Sequence, residues 1–496
     1  MKQAAGALLS SIKLDRTARK SVAVQLYMSL RDLIISGGLR AGQRLPATRM
    51  LAKETGVSRT TVIDAVDRLV AEGMLVARIG AGTYVSNTAG SSSPSVATTE
   101  KKQTTQGLRI SHNIKHAEKS YARRLWLPHE ARAFITALPA LDAFPLAHWS
   151  RLSARHLRGG RGDVMGYGQP KGNEALRRAI ATHLSALKGI QCHHEQIFIT
   201  SGAQHAFTLI GRLLLNPGDK VWMENPGASG ARNALLSEGA ELVPVDVDDE
   251  GIVVTDGLKK APNFRMAFVT PSHQQPLGHV MSLKRRFELL KAAETARALI
   301  IEDDYDGEFY YGNSPQPALR SNDTSGRVLY VGTFSKSLFP SLRLGFILAP
   351  ERMVDSFDEM FQSWISGPPS SNQAIVADFM DEGHFSTHIR LMRRIYKARH
   401  QALCEASLSL PACLKLIETT SGFHTPAFLS PNVNENEAVK QALEKGIILA
   451  PLNRYCISPI KKNGLVFGFG STSPEDIFRG ISIIRDLPAL CKNWSD

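Results

Sequence analysis

An apolar run, Val328 to Val331, leads into Gly332-Thr333-Phe334-Ser335-Lys336, and Arg343 follows seven residues after the lysine. It is one of several apolar stretches that alternate with helical ones beyond about residue 140, the pattern of a mostly parallel sheet covered by helices on both faces. Ligands on such sheets sit at the carboxyl ends of the strands. A buried strand here delivers one primary amine through a hydroxyl-rich turn. An amine whose pKa is lowered becomes a nucleophile at neutral pH, and its usual partner is an aldehyde such as pyridoxal 5′-phosphate. Thr333, Ser335 and Arg343 would then suit a phosphate. The same pattern also describes an exposed turn lysine, so companions elsewhere must decide.

Three other strand ends supply such companions. After Gln196 to Thr200 come Ser201-Gly202-Ala203-Gln204 and a helix, small residues that leave backbone amides at a helix N-terminus in the form of a phosphate cradle. After Met266 to Val269 comes the polar turn Pro271-Ser272-His273-Gln274-Gln275-Pro276-Leu277-Gly278. After Ala298 to Ile301 come Glu302-Asp303-Asp304-Tyr305. A carboxylate at a buried strand end is costly unless it meets a cation, and a protonated pyridine nitrogen is one.

The chain of 496 residues is too long for one core. With 43% hydrophobic and 21% charged residues it has a globular composition, and it has no apolar run of roughly the 20 residues that a membrane span needs. Lys2, Lys13, Asp15 and Arg16 interrupt the apolar residues of the N-terminus, so no secretory signal is expected and a cytoplasmic protein is. The five cysteines, Cys192, Cys404, Cys413, Cys456 and Cys491, are scattered without metal or redox spacing and read as reduced, structural thiols. The net charge of +13 is uneven: residues 1–87 hold 13 Lys+Arg against 6 Asp+Glu, or +7, which suggests a polyanionic partner.

Helical spacing predicts a first helix over 23–36, a short second one opening at Pro46 and Thr48, and a third capped by Ser58 and ending near Gly73. The first turn of the third presents Arg59, Thr60 and Thr61, where a recognition helix meets base edges and phosphates. Residues 74–85 alternate around Gly80-Ala81-Gly82 as a hairpin wing. The string Gly42-Gln43-Arg44-Leu45-Pro46, Arg49, Leu51-Ala52, Gly56-Val57-Ser58-Arg59-Thr60-Thr61-Val62, Glu72-Gly73 and Gly80-Ala81-Gly82-Thr83-Tyr84-Val85 resembles the winged helix-turn-helix of GntR-type bacterial regulators. That resemblance implies double-stranded DNA as partner, met by Arg49, Ser58, Arg59, Thr60, Thr61, Gly80 and Gly82. The family's usual serine after the proline is Ala47 here, which puts one phosphate contact in doubt.

From Asn87 to Gly107 the composition turns to Ser, Thr, Ala, Gly, Gln and Lys, a flexible tether. Residues 140–496 resemble fold-type I aminotransferases of the pyridoxal-phosphate class. By motif this implies Lys336 as the internal aldimine, Asp303 on the pyridine nitrogen, Tyr305 on the ring hydroxyl, and Gly202, Ala203, Thr333, Ser335 and Arg343 on the phosphate. Tyr167 matches a position that reaches the phosphate of the neighbouring subunit, which implies a homodimer.

The combination looks like the MocR subfamily: a winged helix over 20–87, a linker over 88–125 and an α/β aminotransferase-like domain over 126–496. The expected protein is a regulator that senses pyridoxal phosphate or an amino compound and controls genes of vitamin B6 or amino-compound metabolism, and not an enzyme. The alternatives are a working aminotransferase with a DNA-binding appendage and a dimerisation domain that has lost its cofactor. Two departures favour a regulator. Pro226-Gly227 is followed by Ala228 where an aromatic ring normally stacks on the cofactor, and Gly464 to Phe469 lacks the arginine that normally holds a substrate carboxylate, leaving Arg454 and Lys462 as substitutes.

Overall fold

The computed structural model describes residues 12–78, 80–87, 121–122, 132–159, 165–311 and 317–491. The chain divides into two compact units, 1–108 and 109–496. The division falls inside the predicted linker, of which only Tyr121 and Ala122 lie among the described residues. Ala122 is already fixed to the second unit: its N–H donates to Asn233 Oδ1 at 2.8 Å, and Asn233 Nδ2 donates back to its carbonyl at 2.7 Å.

In the first unit, apolar residues at helical spacing bury one stripe of each of three helices. Helix α1 (Val22–Ile35) contributes Leu26, Leu30 and Ile34, α2 (Thr48–Thr55) contributes Leu51, and α3 (Arg59–Ala71) contributes Val62, Ala65, Val66 and Leu69. Gly56 at φ +67° ends α2 in the left-handed conformation that favours glycine. Strands β1 (Leu75–Arg78) and β2 (Gly82–Val85) pair antiparallel with Leu75 opposite Val85, and both close the same core.

In the second unit, short and mostly buried strands stack side by side, and helices connect the parallel ones. Strands β3 (Ile197–Thr200), β4 (Lys220–Asn225), β5 (Glu241–Asp248), β6 (Gly251–Ile252), β7 (Met266–Val269), β8 (Leu299–Asp304), β9 (Val328–Thr333) and β10 (Gly345–Leu348) form one sheet in the order β3-β10-β9-β8-β7-β4-β5-β6. β5, β4, β7, β8 and β9 run parallel, and β10 lies antiparallel between β9 and β3. The ends of β3, β4, β7, β8 and β9 therefore meet the start of β10 at one edge. A smaller antiparallel sheet, β11 (Leu414–Leu416), β12 (His424–Leu429), β13 (Ala450–Pro451) and β14 (Asn463–Gly468), has the order β11-β12-β14-β13. Among the described residues no helix is long and apolar enough to cross a membrane, and Cys192, Cys404, Cys413 and Cys456 are unbridged.

Candidate functional sites

The register of the large sheet collects the predicted phosphate residues. Gly345 of β10 is opposite Thr333 of β9 on one side and Thr200 of β3 on the other, so the turns after both strands start level. Gly202, at φ +97°, is the N-cap of helix Ala203–Leu214, and a Cβ built on it would lie 3.9 Å from Arg343 Cζ. Arg343 adopts left-handed backbone (φ +53°) two residues before β10. Thr333 Oγ1 accepts from the Ser335 N–H at 3.2 Å and opens the short helix that carries Lys336. Amides, hydroxyls and a guanidinium thus gather where the ends of β3 and β9 meet the start of β10, as an anion requires.

Lys336 Nζ donates to the Ala137 carbonyl at 2.6 Å. Phe134 and Ala137 both hold left-handed backbone, φ +66° and +69°, and the segment is anchored by Phe134 N–H to Thr472 Oγ1 (3.1 Å) and Ala140 N–H to the Tyr396 hydroxyl (3.0 Å). Non-glycine residues rarely stay there unless surroundings impose it.

Asp303, in β8, lies opposite Val331 of β9, the strand that leads into the lysine's helix. It is 6% exposed, and its Oδ1 has no hydrogen-bond partner. Burial, then Asp304, Asp306 and Glu224, push its carboxyl well above the usual range, while Lys336 opposes them. A carboxylate aimed into the fold without a partner fits a protonated ring nitrogen. Tyr305 donates its hydroxyl to the His273 carbonyl at 2.9 Å and lies 3.1 Å from His273 Nδ1, which also meets Asp306 Oδ2 at 2.8 Å. Glu224, at the end of β4, accepts from Thr270 Oγ1 (2.7 Å) and Gln274 Nε2 (3.1 Å), and burial lifts its pKa to about 7.

On the face of β8 behind this edge, Asp304 pairs with Lys188 at 2.5 Å and accepts the Tyr330 hydroxyl at 2.6 Å. Such a buried pair holds the strand in place rather than acting on a ligand. Ala228 is buried directly after Pro226-Gly227. Lys462 lies 4.8 Å over the Phe428 ring, and Arg454 is half-buried in the turn Leu452–Tyr455. Tyr167 is fully exposed and does not join the other site residues of its own chain. His273, Asp306, His424 and Ala137 were given no role from the sequence. His273 sits within the polar turn already singled out, whereas a lone histidine on the apolar strand β12 carries no signal.

In the first unit Ser58 Oγ accepts from the Thr61 N–H at 3.1 Å and lies 2.8 Å from its hydroxyl. Thr61 is therefore half-buried and locally engaged, while Arg59 and Thr60 are exposed. Arg59 Nε donates to Thr48 Oγ1 at 3.4 Å, and Arg49 is exposed on α2. Arg44 pairs with Tyr84 by an isolated bridge, and a Cβ on Gly82 (φ +106°) would come within 2.8 Å of its Nε. Gly80, at φ +75°, shares the wing tip with Gly82.

Residues 22–85 match the family of bacterial regulatory proteins, gntR family, and residues 140–462 match aminotransferase class I and II. The chain is 38% identical to the probable rhizopine catabolism regulatory protein MocR of Rhizobium meliloti, over 95% of this chain and 94% of that one. It is 29% identical to the pyridoxine biosynthesis regulator PdxR of Corynebacterium glutamicum, over 95% and 96%. The kynurenine aminotransferase of Pyrococcus horikoshii superposes with a TM-score of 0.68 at 25% identity, covering 79% of this chain and 96% of that one.

Proposed function

Since the chain belongs to the MocR-type regulators, which join a gntR-family helix-turn-helix to an aminotransferase class I and II domain, we propose that it binds operator DNA through its winged helix and senses pyridoxal 5′-phosphate, or an amine reacting with it, at the sheet edge around Lys336. The observation that carries the cofactor part is Asp303 Oδ1, buried and unpartnered in the strand beside the one that leads into the lysine's helix. When bound, this cofactor supplies an aldehyde that captures amines reversibly. The chain's residues hold and orient it: Lys336 by its amine, Asp303 at the ring nitrogen, Tyr305 at the ring hydroxyl, and Gly202, Ala203, Thr333, Ser335 and Arg343 at the phosphate. Exposed Tyr167 fits a role in a partner subunit's site, hence a homodimer.

On DNA, Arg49, Ser58, Arg59, Thr60, Thr61 and the wing glycines Gly80 and Gly82 form the contact surface, with the protein at work in the cytoplasm on genes of vitamin B6 or amino-compound metabolism. Buried Ala228 and a cation-free β14 disfavour the aminotransferase alternative, because a substrate held without ring cover or carboxylate clamp is poorly oriented for proton transfer. The test is a visible spectrum of the purified protein with the cofactor, followed by borohydride reduction and peptide mapping. Label on Lys336 is expected; a silent spectrum and an unlabelled Lys336 would refute the cofactor role.

A further inference from the structure

His273 and His424 come from different sheets of the second unit, one on the turn after β7 and one opening β12, and their ring centroids lie 4.7 Å apart. His273 Nδ1 faces Asp306 Oδ2 at 2.8 Å, and because the carboxylate accepts, Nδ1 carries the proton. In the neutral ring the lone pair is then on Nε2, and that atom has no partner. The His424 ring donates to the Pro276 carbonyl while its own Nε2 is unpartnered, so Nε2 again is the bare acceptor. Two more buried atoms nearby lack partners, Thr419 Oγ1 and Ser421 Oγ. A Cβ on Gly278 would meet Thr419 Cγ2 at 2.5 Å and His273 Nε2 at 3.3 Å, which puts both residues against one glycine. Thr419, the most exposed of the four residues, is 6% exposed.

This cluster borders the residues assigned to the cofactor. Tyr305 bonds the His273 carbonyl, the His424 ring lies 6.2 Å from the Tyr305 ring at 27°, and the Lys336 charge acts on the His424 imidazole. Two fixed lone pairs attract hydrogen-bond donors, and the two hydroxyls can donate as well as accept, a set that complements ligand hydroxyls. A carboxylate has no proton to offer the two imidazole nitrogens, and β14, which lies beside β12 with Gly468 opposite His424, has no cationic residue to offset its charge. A donor left opposite these atoms is worth far more than an apolar group, since buried polar atoms without partners are costly.

We propose that the His273–His424 cluster recognises the hydroxyl groups of an amine effector that carries no carboxylate. This rests on the reading that the cofactor occupies the edge around Lys336, and the experiment separates the two. The full chain, loaded with pyridoxal phosphate, is titrated with 2-amino-1,3-propanediol, 2-aminopropane and alanine, which share an amine on a three-carbon skeleton. Its affinity for the DNA upstream of its own gene is followed by fluorescence anisotropy. The diol is expected to act at roughly tenfold lower concentration than 2-aminopropane, the worth of one or two net hydrogen bonds, and alanine to act no better than 2-aminopropane. His424→Phe keeps an aromatic ring beside Tyr305 without the acceptor, and should bring the diol's advantage close to one while the cofactor's absorbance persists. Equal response to all three amines, no response to any, or a preference for alanine would overturn the proposal, the last pointing to Arg454. Zinc binding by the wild type that is lost in His424→Phe would also overturn it, by giving the two imidazoles to a metal. Absence of the cofactor's absorbance in the wild type would instead fail the reading beneath it.

Discussion

At the scale of single residues, the edge of the large sheet holds groups that its packing alone does not require. Lys336 is the lysine whose charge acts on Asp303, so Lys336→Ala is expected to abolish the covalently held chromophore, whereas a borohydride-trapped adduct persisting in that variant would show the wrong lysine has been named. Asp303→Asn removes the counter-charge and should weaken retention of the cofactor by tenfold or more, read as its dissociation on dialysis. Ala137 is different in kind: its carbonyl binds Lys336, yet its backbone lies at φ +69°. Glycine takes that conformation without the Cβ clash, so Ala137→Gly should raise stability by about 1 kcal/mol in denaturant unfolding. A loss of similar size would show that the Ala137 side chain matters more than its strain.

At the scale of elements, much was legible because it rested on period and punctuation. The three helices and wing of the first unit fall within a residue or two of the positions that spacing, Ser58 and the glycines imply. The strand before Lys336 was legible for the same reason, as an apolar run ending in a hydroxyl-rich turn. What spacing could not give was lateral order. Nothing in the sequence says that β10 inserts antiparallel between β3 and β9, although that insertion is what sets Arg343 against Gly202. Nor could it show that Ala137, 199 residues earlier, meets Lys336, or that His424 faces His273. Such pairings depend on loops closing over long separations, and local pattern carries no record of them. Gly332 illustrates the gap: it sits inside β9 opposite Phe346, and a Cβ there would come within 2.3 Å of that ring's Cζ. Gly332→Ala should therefore destabilise the second unit by roughly 1–3 kcal/mol, seen as a lower thermal midpoint, with Phe346→Leu in the same chain restoring part of the loss.

At the scale of the whole molecule, the charge excess of the first 87 residues and the sheet edge of the second unit answer to different ligands, and regulation requires that one report on the other. The DNA side is tested first. Exposed Arg59 opens α3, so Arg59→Ala should cost roughly 1–3 kcal/mol of specific binding if it reads a base, or less with a shallower salt dependence if it meets phosphate; equal affinities at every salt concentration would remove it from the interface. The coupling is then a matter of differential affinity. A ligand shifts a conformational equilibrium only by as much as it binds one form better than another, and it need not be turned over to do so. Poor orientation of an amine at an edge with Ala228 buried and β14 free of cations slows chemistry without weakening that preference. Pyridoxal phosphate, alone or with an amine, is therefore expected to change affinity or footprint on the chain's own upstream DNA while keto-acid production stays negligible. Both are measured on one preparation, and multiple-turnover transamination together with DNA binding indifferent to cofactor and amine would make the chain an aminotransferase that happens to carry a winged helix.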